Sequence, residues 1–444
     1  MLSSKGYAVL KNKVDTVNII KELTVKPAGD FIQNVEDDSF CLCLETTKYL
    51  YLPKHYGLQK FGLPKTINLN EPTPIDLEFK GNLLEAQHLP VKTYLKYAED
   101  PLHMGGILQL PPGAGKTVMA LYILCKLKVK TLIIVHKEFL LNQWKERIVQ
   151  YIPNATVGII KQNKIEVDCD ISIASLQSLC MREYDKEVLS RFGLVIIDEC
   201  HHVGAMVFSK ALMKVNFKYA LGLSATVSRK DGLTKVFKWF IGDVVYKVSK
   251  KEDVDCKVDV AVFKDTNELY CKEHHMYNGK INMAKMVNNI AYYEPRSLFI
   301  VDKLFELLAN EPTRNVIILS DRRKHLEDLH KMINVKFDAG LYLGGMKNDL
   351  LEITKTKQVI LGTFNMVSEG FDLPKLDTLI LATSKGEIEQ SVGRIQRKHV
   401  YTEDDNVPLI IDIVDDFSVF KNQHTKRMKF YKKRNYEILT KNSK

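Results

Sequence analysis

Two kinds of stretch alternate along most of this chain. One is a short run apolar at nearly every position; the other is longer, with apolar residues recurring at helical spacing. From Gly81 to about Val248 the continuous runs are Ile107–Leu110, Thr131–Val135, Ile171–Ala174, Leu194–Ile197 and Ala220–Leu223. From about Arg296 to Asp416 they are Val316–Leu319, Val359–Leu361, Thr378–Ala382 and Leu409–Ile413. A strand with one wet face would alternate polar and apolar positions. These runs do not, so they predict parallel sheets covered by helices on both faces. The fold class is therefore α/β, with two parallel-sheet domains in series.

The front of the chain is different. Up to about Glu78 it carries Pro27, Pro53, Pro64, Pro72 and Pro74, with short alternating runs such as Phe40 to Tyr51. That pattern predicts a small β-rich or α+β domain, with Asn68 to Pro74 as its linker. Charged residues from Lys250 to Lys257 break the first of these alternating regions, and Asn267 to Tyr293 reads as helical. The expected division is thus an accessory domain over 1–78, a first α/β domain over 79–249, a helical connector over 250–295 and a second α/β domain over 296–444 with a basic tail.

Composition narrows the class. The 444 residues are 45% hydrophobic and 27% charged, as in globular proteins. No apolar run is long enough to span a bilayer, and Met1 to Lys13 lacks the apolar core of a secretory signal. The 8 cysteines are scattered, several inside apolar segments, which suits reduced residues of an intracellular protein. A net charge of +10 favours a polyanionic partner. The charge is densest near the C-terminus, where Lys426, Arg427, Lys429, Lys432, Lys433 and Arg434 surround Phe430 and Tyr431. Such a stretch either holds a nucleic-acid backbone or is a solvated helix end.

Candidate chemistry begins just after the first apolar run. Leu110 to Thr117 reads Leu-Pro-Pro-Gly-Ala-Gly-Lys-Thr. A strand that feeds a glycine-rich turn ending in Lys-Thr and opening a helix is a phosphate cradle. Pro112, Gly113, Ala114 and Gly115 form the turn whose backbone N–H groups approach phosphate. Lys116 reaches the β- and γ-phosphates, and the Thr117 hydroxyl can ligate Mg²⁺. The full pattern has glycine where Leu110 stands, so the match is to its second half. An ordinary glycine turn is the alternative, disfavoured by the placement of Lys-Thr. About eighty residues on, the run Leu194–Ile197 ends in Asp198 and Glu199. In open α/β sheets ligands bind beyond the carboxyl ends of strands. Asp198 is therefore expected to hold Mg²⁺, and Glu199 to orient or deprotonate the water that attacks the γ-phosphate.

The phosphate loop, Asp198-Glu199-Cys200-His201, Ser224-Ala225-Thr226 and Gln390-Ser391-Val392-Gly393-Arg394-Ile395-Gln396-Arg397 occur in that order. Together they resemble the superfamily-two helicases and nucleic-acid translocases, from about Phe79 to Tyr436. Phe79 through Gln87 resembles the motif whose glutamine reads adenine. His136 through Trp144 resembles motif Ia of the XPB-like branch, and Arg229-Lys230-Asp231 is similar to that branch's Arg-Glu-Asp element, with lysine replacing glutamate. Val227 stands where many relatives have proline. The nearest likeness is to XPB-like helicases of large DNA viruses and phages.

The resemblance implies two tandem RecA-like domains that use ATP and Mg²⁺. It gives Lys116, Asp198, Glu199, Gln390, Arg394 and Arg397 catalytic roles, the two arginines reaching the γ-phosphate. It gives Ser224, Thr226, Gly370 and Asp372 a role in coupling nucleotide state to movement. His136, Lys137, Gln177, Arg229, Ser320 and Thr363 would touch nucleic acid, although Ser320 could equally cap the helix after it. The expected activity is an ATP-dependent DNA helicase or duplex translocase acting in transcription, recombination or repair, with DNA favoured over RNA. An RNA helicase and a scaffold with a weak ATPase are the alternatives. Transcription or replication proteins are candidate partners. A monomer is expected in the cytoplasm or nucleus, or at a replication site if the chain is viral.

Overall fold

The structure is a computed structural model, and it describes residues 1–3, 5–26, 39–69, 71–111, 113–199, 205–225, 232–248, 255–368, 371, 373–396 and 406–439. The chain forms two compact units, Met1–Ser249 and Lys250–Lys444.

In the first unit, the strands are β1 (Gly105–Gln109), β2 (Thr131–Val135), β3 (Val157–Lys161), β4 (Ile171–Ser175), β5 (Leu194–Asp198), β6 (Tyr219–Ser224) and β7 (Val244–Lys247). They lie in the order β3-β4-β2-β5-β6-β1-β7, all parallel, with the short strand Lys164–Ile165 antiparallel on the β3 edge. Every residue of β2 and β5 is buried, which is why these strands are apolar without alternation. Helix α1 (Lys116–Leu127) follows β1, and helix α2 (Glu138–Tyr151) follows β2. Leu140, Leu141, Trp144 and Ile148 of α2 are buried at helical spacing.

The front segment builds its own five-stranded sheet, in the order Leu44–Glu45, Tyr49–Leu52, Gly6–Leu10, Leu2–Ser3, Ile67–Asn68. Strands this short cannot bury both faces alone. Leu2, Leu50, Leu52 and Leu58 instead share one apolar core with Phe208, Phe237 and Phe240 of the α/β part. Helix Lys54–Phe61 lies at this junction, with Tyr56 edge-on to Trp239 at 5.3 Å.

The second unit holds β8 (Lys257–Phe263), β9 (Val316–Ser320), β10 (Ala339–Tyr342), β11 (Val359–Thr363), β12 (Thr378–Leu381), β13 (Leu409–Asp415) and β14 (Glu437–Leu439). Their order is β10-β11-β9-β12-β13-β8-β14, and all pairs are parallel. Here the structure departs from the sequence reading. The stretch 250–295, expected to be a helical connector, supplies β8, which pairs with all seven residues of β13, Lys257 opposite Leu409 through Phe263 opposite Asp415. Lys257 and Asp259 disguise this strand among apolar neighbours. Near the sheet edge it is only partly buried, so it can keep polar side chains. The rest of that stretch is helical, as Glu268–Cys271, Met283–Tyr292 and the start of Glu294–Asn310. Helix α3 (Glu389–Val392) precedes β13, and helix α4 (Ser418–Lys433) follows it.

Candidate functional site

The loop after β1 turns through two left-handed glycines, Gly113 at φ 81° and Gly115 at φ 76°. Only glycine takes these values without strain. A Cβ at Gly115 would lie 2.3 Å from Gln87 Nε2, so a larger residue there would displace that amide. Gln87 is buried and ties the loop in place. Its Nε2 donates to Ala114 O at 3.1 Å, and its Oε1 accepts from Leu84 N at 3.0 Å. Lys116 and Thr117 are the first two residues of α1, so the positive end of that helix faces the loop.

The sheet order brings the acidic pair to the same place. β6 separates β5 from β1, and Leu110 N donates to Ser224 O at 2.9 Å. Ser224, fully buried at the end of β6, thus stands between the phosphate loop and Asp198. Lys116 Nζ lies 3.2 Å from Glu199 Oε1 and 3.3 Å from Leu110 O. Glu199 has a left-handed backbone at φ 47°. A bulky residue takes that conformation at a cost of order 1–3 kcal/mol, and such strain gathers at functional sites. Asp198 is buried, and burial together with the neighbouring Glu199 carboxylate pushes its pKa up to about 6. The bond from Trp144 and the charge of Lys116 act the other way. A glycine cradle, a lysine at a helix N-terminus and two carboxylates fit a nucleotide triphosphate and the hard cation that travels with it.

His136 and Lys137 follow β2, and Gln177 follows β4, the strand paired with it. Gln177 is exposed, takes a bond from Ser175 Oγ at 3.1 Å and donates through Nε2 to His136 O at 2.8 Å. The structure therefore joins these expected nucleic-acid residues in one surface.

In the second unit, Ser320 and Thr363 are directly paired at the ends of β9 and β11. Thr363 is half-buried. Ser320 is fully buried; its hydroxyl bonds His325 Nδ1 at 3.0 Å and accepts from Arg322 N at 3.1 Å. This corrects its expected role in touching nucleic acid, because the side chain closes the turn into helix Arg323–Ile333 and has no exposed surface. Gln390 is half-buried on α3. Arg394, just beyond, is buried and donates Nη1 to Phe371 O at 2.8 Å. Pro112, Thr226, Arg229, Gly370, Asp372 and Arg397 lie outside the described residues.

In the sequence, Trp144 stands only as the last residue of the segment that resembles motif Ia. Its indole N–H donates to Asp198 Oδ2 at 2.9 Å. Helical spacing predicts that a residue points inward, but not which buried carboxylate it meets.

The chain is 36% identical over 453 residues to a protein of Acanthamoeba polyphaga mimivirus provisionally named an ATP-dependent RNA helicase, covering 98% of this chain and 85% of that one. This chain belongs to the superfamily-two helicases. It is accordingly an ATP-hydrolysing helicase that binds nucleic acid. Residues 80–229 of the helicase match the family described as type III restriction enzyme, res subunit. A provisionally named helicase of Invertebrate iridescent virus 6 is 29% identical over 96% of this chain and 98% of its own length. In fold, the helicase matches the solved structure of S. cerevisiae Dbp5 bound to RNA and ADP BeF3, with a TM-score of 0.56 at 13% identity over 81% of this chain and 94% of that one. Its two parallel-sheet domains are thus RecA-like. Among the described residues no helix is long and apolar enough to cross a membrane.

Proposed function

We propose that this helicase is a DNA helicase or duplex translocase, of the XPB-like branch, in which ATP bound at Gly113 to Thr117 drives movement on the strand. The observation that carries the proposal is the convergence of Lys116, Glu199 and Asp198 at the carboxyl ends of β1 and β5, with Lys116 Nζ 3.2 Å from Glu199 Oε1. Thr117 and Asp198 would hold Mg²⁺, which neutralises phosphate charge when bound. Lys116 binds the terminal phosphates, exchanging its Glu199 partner for phosphate oxygens. Glu199, so released, accepts the proton of the attacking water. Arg394 and Arg397 would supply positive charge as the terminal phosphoryl group transfers. Ser224, wedged between the loop and Asp198, relays the nucleotide state, together with Thr226, Gly370 and Asp372. His136, Lys137, Gln177 and Thr363 grip phosphate and sugar, which gives hold without sequence choice.

DNA is favoured by the likeness of the His136–Trp144 segment to XPB-like motif Ia. An RNA helicase is the second reading, favoured by the name of the mimivirus relative. Steady-state ATP hydrolysis titrated with single- and double-stranded DNA and RNA separates them. Stimulation by DNA supports the proposal. Stimulation by RNA alone replaces it with the second reading, and no stimulation by either removes both.

A further inference from the structure

Helix α4 reads Ser-Val-Phe-Lys-Asn-Gln-His-Thr-Lys-Arg-Met-Lys-Phe-Tyr-Lys-Lys and contains no acidic residue. Its rotation is fixed by a buried seam of Phe420, Arg427 and Tyr431. Arg427 donates Nε to Asp412 Oδ2 at 2.9 Å and Nη1 to Ser384 Oγ at 3.0 Å and Lys385 O at 2.9 Å. Tyr431 OH donates to the same Asp412 oxygen at 3.0 Å. At 3.6 residues per turn, Lys421, Lys426, Lys429, Lys432 and Lys433 fall within an arc of roughly 140°, opposite that seam. All five are exposed. They form a stripe about 18 Å long, at 1.5 Å of rise per residue.

An ordinary solvated helix face mixes both signs of charge. Here, among the described residues, only Lys421 has an acidic partner, Asp416 at 3.7 Å. Lys429 faces Lys426, Lys432 and Lys433 at spacings of three or four residues, where like charges repel. A polyanion would relieve that repulsion. The stripe also leads somewhere. Lys426 packs over Gly386, where a Cβ would lie 3.3 Å from its side chain. The next residue back, Lys385, holds its ammonium 4.4 Å from the centroid of Phe364 and 3.8 Å from Asp321. Phe364 directly follows Thr363.

We propose that the lysine face of α4 is a second phosphodiester-backbone site, continuing the strand path from the Thr363–Phe364 segment over Lys385. The inference rests on the nucleic-acid reading above. It assigns α4 grip on the backbone and no part in hydrolysis, so DNA and RNA backbones are alike to it.

The test is a variant of the full chain with Lys426, Lys429, Lys432 and Lys433 all changed to Gln, beside a second with all four changed to Arg. Binding of labelled single-stranded and duplex DNA and RNA oligonucleotides is followed by anisotropy from low to moderate salt. Four lost phosphate contacts lower the slope of log K against log salt by roughly 3. The Gln variant is expected to show that change on whichever nucleic acid the wild type binds, and to need at least tenfold more of it for half-maximal ATPase stimulation. Basal hydrolysis and saturated turnover stay at the wild-type level, and the Arg variant keeps wild-type binding. An unchanged salt slope in the Gln variant overturns the α4 site while leaving the nucleic-acid reading in place. Failure of the wild type to bind any of the four probes overturns both.

Discussion

The indole N–H of Trp144 bonds Asp198 Oδ2 at 2.9 Å, and both side chains are buried. Helix α2 therefore joins two expected functions. Its N-cap is Lys137, one of the residues expected to grip nucleic acid, and about two turns later it fixes one oxygen of the expected metal-binding carboxylate. A shift of α2 on strand binding would reach Asp198 directly. Trp144→Phe keeps most of the ring and removes the donor. The loss of a bond to a charged group costs about 1.5–3 kcal/mol of local order. We expect an approximately tenfold fall in kcat and a higher Mg²⁺ requirement, with a cooperative thermal transition retained. Hydrolysis across a Mg²⁺ series, alongside a melting curve, checks this; a wild-type Mg²⁺ dependence would show that the bond has no positioning role.

The Lys116–Glu199 pair predicts different outcomes for its two members. Lys116→Ala removes the charge that binds the terminal phosphates and is expected to abolish turnover, with far-ultraviolet circular dichroism unchanged. Glu199→Gln keeps shape and hydrogen bonding but cannot accept a proton. It should bind a fluorescent ATP analogue at least as tightly as wild type and hydrolyse ATP at least 10²-fold more slowly. Loss of nucleotide binding in Glu199→Gln would make Glu199 a structural residue.

Much of this fold was legible because continuous apolar runs have one economical solution. Thr131–Val135, read from the sequence with those bounds, is β2. β3 was missed because Val157, Ile159 and Lys161 are only half-buried, and β10 because Gly340 breaks an already short run. Gly105 and Gly106 belong to β1, though glycine seldom signals a strand. A Cβ at Gly105 would meet Ala220 O at 2.2 Å, so the close approach of β6 explains the residue. In the site, the loop and the acidic pair were readable because their chemistry constrains residue type and spacing. Ser320 was misread because a hydroxyl at a strand end serves a ligand or a turn equally well, and only burial decides between them.

Lys54 offers a pH-dependent prediction. It is buried where the front sheet meets the α/β core; its Nζ donates to Lys218 O at 2.5 Å and lies 5.8 Å from the Phe217 ring centroid. Burial, with the charge of Lys218, pushes its pKa down from 10.5 to about 7. The folded chain thus gives up this proton more readily than the unfolded chain. From about pH 7 toward 10 the unfolded state binds more protons, so stability rises with pH; below 7 the penalty is complete, on the order of 5 kcal/mol. Neighbouring His55, also buried, is held well below its usual 6.5 and so adds nothing above neutrality. Lys54→Met is expected to melt higher than wild type at pH 6 and to show a flatter rise to pH 9. Parallel melting curves for the two proteins would refute a charged Lys54 at this junction.

The buried pair Arg296–Asp415 gives the largest expected stability effect. Both side chains are fully buried, with Arg296 Nε 2.6 Å from Asp415 Oδ1 and Nη2 2.9 Å from Oδ2. Arg296 also donates Nη1 to Ala382 O at 2.7 Å, and Asp415 accepts from Tyr270 OH at 2.9 Å. The network pins helix Glu294–Asn310 and the Tyr270 turn to the ends of β12 and β13. Desolvating two charges offsets much of their attraction, so the pair itself contributes little net stability, whereas either charge left alone costs about 3–5 kcal/mol. Arg296→Met should therefore lower the urea midpoint of the second unit sharply. Arg296→Met with Asp415→Leu should recover part of that loss, because no lone charge remains; the Ala382 and Ile290 carbonyls lose the Arg296 donor, at about 1–3 kcal/mol for each group left unpaired, while the Tyr270 hydroxyl keeps the Phe263 carbonyl at 3.3 Å. A double variant as unstable as the sum of the two singles would mean that the two side chains act independently despite their contact.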